Sequence, residues 1–283
     1  MTKTAPRPCQ AFPDAATHRA MKQTLLHSVE EAGKILRGYF GKLLNPRIKE
    51  SSSSVVCDAD LAAEKEILKT IRSRFPEHSV IAEESGYLQG PSEYTWVIDP
   101  LDGTSNFVAG LPWFGVQIGL LRGGVPILAA MYLPLEDTLY FAEAGRGASK
   151  NGRAIRVTAE PRLQHVLCAF GHDANGNPRR KRQNAELLFR VASGVRNIRT
   201  TNSLVDFCYT ADGRLGGCLN LNTKIWDIVP VCLILPEAGG KLTDLQGKEI
   251  VFGLDEKTFG RSYEVLGAGR TLHPKLVALA KAQ

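Results

Sequence analysis

The sequence feature that most constrains this chain is the stretch at residues 96–107, which runs WVIDPLDGTSNF. It opens as an apolar, strand-like run, and we expect the strand to break at Pro100 and Gly103. Asp99 and Asp102 at this spacing can share a hard cation, and a Gly-Thr pair that opens a helix can direct backbone N–H groups at an anion. An acidic β-turn is the alternative interpretation, because Asp-Pro and Asp-Gly are ordinary turn formers.

The composition of the chain limits the classes of protein to which it can belong. The chain has 283 residues, a formal net charge of +6 and 43% hydrophobic residues, enough for a sizeable core with only a weak preference for anionic ligands. Its six cysteines form no C-x-x-C pair, which favours reduced structural thiols and a cytoplasmic location. The first 13 residues lack the apolar segment of a signal peptide, and no run approaches the length of a membrane span.

Hydrophobic spacing in the first half predicts helices followed by a strand meander. One amphipathic helix spans residues 21–40, and a second spans 61–75, with Asp58 or Asp60 as its natural N-cap. We expect Asp58 to be a cap and not a ligand. Residues 49–54, KESSSS, are predicted to form a mobile loop. Strands are predicted at residues 79–82, 114–121, 125–132 and 138–142, and a hairpin at Asn151 and Gly152 before a strand at 155–157.

From about residue 161 the pattern changes to alternating short strands and helices, which is typical of α/β proteins. Strands are predicted at residues 166–170, 195–198, 218–221 and 265–266, and helices at 184–193, 203–211, 225–238 and from 274. We therefore predict an N-terminal α+β half over residues 16–160 and a C-terminal α/β half over residues 161–283.

Carboxylates gather at the ends of the predicted elements, without His or Cys beside them. Such a set suits Mg²⁺, and two ions can clamp a phosphoryl group while one lowers the pKa of a bound water. A carboxylate pair can also serve a glycosidase, but the Gly-Thr that follows favours metal plus phosphate. The motifs G-x-S-x-G, G-x-x-x-x-G-K-[ST] and G-x-G-x-x-G are absent from the sequence. The carboxylates in question are Asp60, Glu83, Glu84, Asp99, Asp102 and Asp227.

Two long motifs carry a resemblance to a known family. Residues 99–107, DPLDGTSNF, closely resemble the first signature of the inositol monophosphatase family, and residues 226–240, from WDIVP to EAGG, resemble its second. Glu83, in AEES, falls where that family has its metal-binding glutamate. The resemblance implies a five-layered αβαβα sandwich of the inositol monophosphatase and fructose-1,6-bisphosphatase type. It also implies a lithium-sensitive, Mg²⁺-dependent phosphomonoesterase that forms a homodimer.

The same resemblance implies roles for individual residues. A first metal site is implied at Glu83, Asp99, Thr104 and the carbonyl of Leu101, and a second at Asp99, Asp102 and Asp227. Asp60 is implied as a ligand, partly through water, of a weaker third ion, and it joins Glu83 and Thr104 in the implied catalytic set. Glu83 and Thr104 orient the attacking water, while the N–H groups of Gly103 and Thr104 hold the phosphate. Lys49 and the serine loop lie where the family has a mobile metal-site loop.

The alcohol-binding pocket departs from the family pattern. Residues 199–206 read RTTNSLVD in place of a Gly-Ser/Thr-Ala-Ala run, and Asn220 stands where a glutamate binds a sugar hydroxyl. An amide donates as well as accepts hydrogen bonds, so it selects a different hydroxyl geometry. The predicted substrate is a small polyol or sugar phosphate; fructose-1,6-bisphosphate, histidinol phosphate and phosphoadenosine phosphate are the alternatives. The predicted substrate-binding residues are Asp102, Gly103, Thr104, Ser203, Asn220 and Asp227.

The strongest basic run is RRKR at residues 179–182. It is expected to be a solvated loop that leads into a helix, and no aromatic residues interleave with it, which weakens the case for nucleic acid. A function of another class, an accessory factor that binds RNA or a protein complex, is the alternative that this run keeps open.

Overall fold

The N-terminal part of the chain forms two helices that lie against one face of a sheet. The computed structural model describes residues 14–42, 47–48, 55–172 and 178–281. Helix α1 (Ala15–Tyr39) and helix α2 (Asp58–Arg74) pack on each other, as the hydrophobic spacing predicts. Between them, β1 (Arg47–Ile48) pairs antiparallel with β2 (Val55–Val56). The loop predicted at residues 49–54, with Lys49, lies outside the described residues.

The predicted N-cap of α2 is wrong. Cys57 is the cap, and Asp60 occupies the third helical position, where its carboxylate accepts the Cys57 N–H at 2.8 Å. Asp58 is not the cap either, because it is the first residue of the helix. From the third helical position the Asp60 carboxylate satisfies the backbone N–H of the N-cap residue, and its negative charge lies near the positive end of the helix dipole.

In the described residues, the first sheet has eight strands in the order β10-β9-β8-β7-β6-β5-β3-β4. All neighbours are antiparallel except β3 and β5, so the predicted meander and the hairpin at Asn151 and Gly152 are confirmed. A one-turn helix, α3 (Thr104–Val108), follows β5. The strands are β3 (Ser79–Ala82), β4 (Gly86–Leu88), β5 (Tyr94–Asp102), β6 (Gly115–Arg122), β7 (Val125–Leu133), β8 (Thr138–Glu143), β9 (Ala148–Lys150) and β10 (Arg153–Ala154).

The strand predicted at residues 155–157 is not observed in this described part of the chain, where β10 ends at Ala154. The Val157 N–H donates instead to the carbonyl of Ala238, 3.0 Å away. The chain therefore leaves the first sheet here to bond the end of a later helix.

The described residues of the second half form a five-stranded sheet in the order β12-β11-β13-β15-β14. Strand β11, second in this order, is parallel to both its neighbours, and β15 is antiparallel to β13 and β14. The strands are β11 (Leu167–Gly171), β12 (Asn197–Arg199), β13 (Gly217–Thr223), β14 (Gly240–Thr243) and β15 (Tyr263–Gly269); the helices are α4 (Pro178–Gly194), α5 (Leu204–Ala211), α6 (Ile225–Glu237) and α7 (His273–Lys281).

The basic run at residues 179–182 lies inside the first turn of α4, so the predicted leading loop is wrong. Proline suits the first position of a helix, and Arg and Lys are good helix formers, which explains why the helix starts at Pro178. Arg180 forms an ion pair with Glu264 of β15.

The described elements stack as five layers, α1 and α2, the first sheet, α5 and α6, the second sheet, and α4 and α7, which confirms the predicted αβαβα sandwich. Adjacent residues Val97 and Ile98 of β5 point to opposite faces, so one sheet supplies two cores. A third core lies under α4 and α7. Because α6 packs on both sheets, the division into halves at residue 160 stays a prediction. Among the described helices, none is long and apolar enough to span a bilayer.

Gly119 of β6 allows α6 to approach the first sheet closely. A Cβ at this position would lie 2.6 Å from Cγ1 of Val229. We expect Gly119→Ala to lower the free energy of unfolding by about 1–3 kcal/mol, because the helix or the Val229 side chain must shift. Urea titration followed by circular dichroism measures this change.

Gly38→Ala is the matched control, since a Cβ at that position of α1 meets no atom within 4 Å. It should leave stability unchanged or raise it by up to about 1 kcal/mol, the helix-propensity gain of alanine over glycine. Equal losses in the two variants would contradict the close-packing explanation.

Candidate active site

Strand β5 presents Asp99 and Asp102 on the same face because its pairing with β6 is irregular between them. Asp99 lies opposite Gln117 and Asp102 opposite Gly115, so three steps along β5 match two along β6. Side chains three apart in a regular strand point to opposite faces, and one extra residue restores the phase. The predicted break at Pro100 is therefore wrong: the strand continues to Asp102 as a bulge, and ends before Gly103 as expected.

Three carboxylates converge at this face. One oxygen each of Asp99, Asp102 and Asp227 lies within 4.8 Å of the others. Asp227 comes from the first turn of α6, where its carboxylate accepts the Lys224 N–H at 2.6 Å. Asp99 is buried and the other two are half-buried. An all-oxygen donor set of this size fits a hard divalent cation such as Mg²⁺.

The electrostatics of the cluster also fit a cation. Burial raises the pKa of Asp99 well above its ordinary value, and the negative charges of Glu83, Asp102 and Asp227 raise it further. Burial also raises the pKa of Asp227 well above its ordinary value, and the negative charges of Asp102 and Glu83 raise it further. Glu83, which follows β3, is thus close enough to act on both aspartates. Repulsion among these groups is what a bound divalent cation would relieve.

Asp60 and Thr104, distant in sequence, are brought into contact. The Thr104 hydroxyl lies 3.0 Å from Asp60 Oδ1 and 3.0 Å from the Leu101 carbonyl oxygen. The other oxygen of Asp60 accepts the N–H and the thiol of Cys57, the latter at 2.9 Å. Burial raises the pKa of the Cys57 thiol to about 12, so it stays protonated and able to donate. Burial also raises the pKa of Asp60, and these hydrogen bonds oppose that rise.

Glu64 holds the loop that carries Glu83, a role that the sequence analysis missed. Its buried carboxylate accepts the Glu84 N–H at 2.9 Å and the Ser85 hydroxyl at 2.5 Å. The available signal is the spacing, because Glu64 lies one turn after Asp60 on the same face of α2. Glu84 contributes its backbone N–H to this contact, and the contact assigns its side chain no role as a metal ligand.

Gly103 is required by the contacts around the acidic motif. Its φ of +86° is the left-handed conformation, and a Cβ would lie 2.6 Å from the Trp113 carbonyl oxygen and 3.1 Å from Ser203 Cβ. Asn106 donates to the carbonyls of Trp113 and Thr201, each at 2.8 Å. These contacts hold the segment at residues 201–203 against the acidic motif.

The same segment also reaches the second sheet. A Cβ on Gly171 of β11 would lie 2.8 Å from the Asn220 amide and 3.2 Å from Asn202 Oδ1. Buried Asp206 accepts the Thr201 hydroxyl at 2.8 Å, and burial raises the pKa of Asp206 to about 6. The predicted substrate residues thus fall in two groups: Ser203 lies beside Gly103 of the acidic motif, whereas Asn220, in the middle of β13, lies beside Gly171.

Comparisons with known proteins agree on one family. Residues 18–283 match the model of the inositol monophosphatase family. The chain is 34% identical over 255 residues to a fructose-1,6-bisphosphatase/inositol-1-monophosphatase of Aquifex aeolicus, covering 88% of this chain and 90% of that one. It is 37% identical over 205 residues to Nus factor SuhB of Vibrio cholerae, covering 70% and 75%. Extragenic suppressor protein suhB of Bartonella henselae superposes with a TM-score of 0.84 at 30% identity, covering 94% of this chain and 99% of that structure.

The raised pKa values predict how stability depends on pH and metal. Between an ordinary aspartate pKa and the raised values of Asp99 and Asp227, the folded chain binds more protons than the unfolded chain. Stability of the metal-free protein therefore falls as pH rises from the ordinary aspartate pKa toward the raised values. We expect Mg²⁺ to raise the melting temperature more at high pH than at low pH, because fewer protons then compete with it for the carboxylates. Differential scanning fluorimetry in EDTA and in excess Mg²⁺ measures both effects.

Asp99→Asn provides the control, because it removes one of the charges that generate the pH dependence. Its metal-free melting temperature should vary less with pH than that of the unmodified protein. A Mg²⁺-induced shift that is the same at both pH values would contradict the assignment of these carboxylates.

Proposed function

The chain belongs to the inositol monophosphatase family and is a phosphomonoester hydrolase, and from this premise we propose that it hydrolyses a small polyol or sugar phosphate with Mg²⁺ bound at the acidic cluster. The observation that carries the proposal is the convergence of Asp99, Asp102 and Asp227. They come from β5 and α6, which are more than a hundred residues apart, and packing alone gives no reason to gather them.

The proposed metal ligands are those that the family resemblance implies. Glu83, Asp99, Thr104 and the Leu101 carbonyl would hold one ion, and Asp99, Asp102 and Asp227 a second. Asp60 would serve a third, weaker ion through water. When bound, Mg²⁺ would neutralise charge on the phosphate oxygens and lower the pKa of a coordinated water. Two or three ions are therefore proposed.

The chain's own contribution to the reaction lies in Thr104, Asp60 and Glu83. The Thr104 hydroxyl has one proton and lies 3.0 Å from Asp60 Oδ1. If it donates that proton to Asp60, the Thr104 oxygen keeps its lone pairs for a proton of the attacking water. Glu83 would accept the second proton, so that the water's remaining lone pair faces phosphorus in line with the leaving alcohol.

Substrate recognition is proposed on both sides of the segment at residues 201–203. The N–H groups of Gly103 and Thr104 would hold the phosphate, since the left-handed Gly103 lets the chain turn closely there. Ser203 and Asn220 offer uncharged donors and acceptors, which suit the hydroxyl groups of a neutral polyol. Fructose-1,6-bisphosphate, histidinol phosphate and phosphoadenosine phosphate remain the alternative substrates. Homodimerisation, lithium sensitivity and a cytoplasmic location are further proposals that the family resemblance supports.

Phosphate release from a panel of monoesters tests the proposal. Inositol, glycerol, fructose, histidinol and nucleotide phosphates are assayed with Mg²⁺ and with EDTA. We expect Mg²⁺-dependent release from a neutral polyol or sugar phosphate, and a loss of roughly 100-fold or more in kcat/KM for Asp99→Asn, because that substitution removes a ligand of both proposed ions.

Asp255→Asn is the charge-matched control, since Asp255 is exposed and its carboxylate accepts hydrogen bonds from Thr258 within its own turn. It should keep full activity. Full activity of Asp99→Asn, or phosphate release that EDTA does not affect, would refute the metal assignment.

A second candidate function has one observation in its favour, the similarity to proteins named Nus factor SuhB. The basic first turn of α4 offers exposed Arg179, Lys181 and Arg182 for a polyanion. If the chain binds RNA, retention should fall steeply with salt and be lost when these three residues are changed to Gln. Filter binding at several salt concentrations measures this, and Arg162→Gln, exposed on another element, is the control. Equal retention of the triple variant and the control would eliminate this surface.

A further inference from the structure

Gln117 is a buried amide of β6 that the proposed catalytic roles leave unused. Its side chain is fully buried and lies directly across the sheet from Asp99. Its Nε2 lies 3.0 Å from Asp102 Oδ2 and 3.4 Å from Asp99 Oδ2. One amide nitrogen thus contacts two of the three clustered carboxylates.

The remaining oxygens of these two carboxylates are held by the backbone. Asp99 Oδ1 accepts the Leu101 N–H at 3.1 Å, and Asp102 Oδ1 accepts the Leu204 N–H at 2.6 Å. Each carboxylate therefore has one oxygen on a backbone donor and the other on Gln117. Rotation of either carboxylate breaks one of these bonds, so the amide fixes their mutual orientation.

Packing alone does not account for an amide at this position. The acceptor atom, Gln117 Oε1, is buried and makes no hydrogen bond within the described residues. A buried polar atom without a partner costs free energy that an apolar side chain of similar size would avoid. Reversing the amide would place Oε1 against two carboxylates, so only the donor end has a favourable contact.

We propose that Gln117 is a positioning residue that holds Asp99 and Asp102 in the arrangement that a divalent cation requires. It offsets their repulsion before metal arrives, so less reordering accompanies binding. Gln117 therefore sets cation affinity and takes no part in bond breaking. This inference rests on the metal site of the proposed function.

Isothermal titration of metal-stripped protein with Mn²⁺ tests this role directly, without an activity assay. Gln117→Met keeps the volume and removes the donor, and we expect a dissociation constant roughly 10–100-fold weaker. Gln117→Asn keeps the amide but is one methylene shorter, so it cannot span both carboxylates and should also bind Mn²⁺ more weakly. With substrate, kcat at saturating Mg²⁺ should stay close to that of the unmodified protein, while the Mg²⁺ concentration for half-maximal rate rises.

Leu121→Val is the matched control, because Leu121 is equally buried on the same face of β6 and touches the core between the sheets. It should leave Mn²⁺ affinity unchanged. Unchanged affinity in both Gln117 variants, or an equal loss in Leu121→Val, would overturn the positioning role alone. Absence of Mn²⁺ binding by the unmodified protein would instead refute the proposed metal site, and this inference with it.

Discussion

Repulsion among buried carboxylates is the interaction around which this structure is arranged. Asp99, Asp102 and Asp227 lie within 4.8 Å of one another between two sheets, where burial already disfavours charge. The fold compensates with oriented donors. The first N–H of α5 points at Asp102 and the Lys224 N–H, at the start of α6, points at Asp227. Two helix N-termini therefore direct partial positive charge at the cluster, which lowers the cost of assembling it.

The bulge in β5 is what allows a strand to supply two of these acids to one face. Leu101 packs with Ile98 in the core under α1 and α2, while Asp99 and Asp102 turn toward the middle layer. A regular strand would alternate these residues and send one aspartate into an apolar core. Because the two aspartates are three residues apart, the change of phase is what brings both to one face while Leu101 stays in the core on the other.

Much of this architecture follows from the sequence because its elements have strong local patterns. The spacing of apolar residues located α1 and α2, and the resemblance of two motifs supplied the five layers. Residues that act through tertiary contacts escaped prediction: Gln117 lies in an apolar strand, and nothing local marks its neighbour across the sheet. The cap of α2 was misassigned for a local reason, since Asp60 accepts the Cys57 N–H from inside the helix and the helix therefore begins before it. The strand expected at residues 155–157 does not form, because the Val157 N–H donates to the Ala238 carbonyl instead.

In the function proposed above, the two sheets have separate roles, one in the chemistry and the other in selecting the alcohol. The first sheet and α6 hold the three carboxylates together, so the loss of one of these acids would change the charge balance of the cluster. Asn202 and Asn220 lie instead beside Gly171 of the second sheet, and Thr201 and Leu204 bond the neighbouring segment to the acidic motif. Substitutions in that segment can alter the polar groups offered to an alcohol while Asp99 and Asp227 keep their places. Such a separation would let the proposed alcohol-binding residues differ from the family pattern while the acidic motif stays intact.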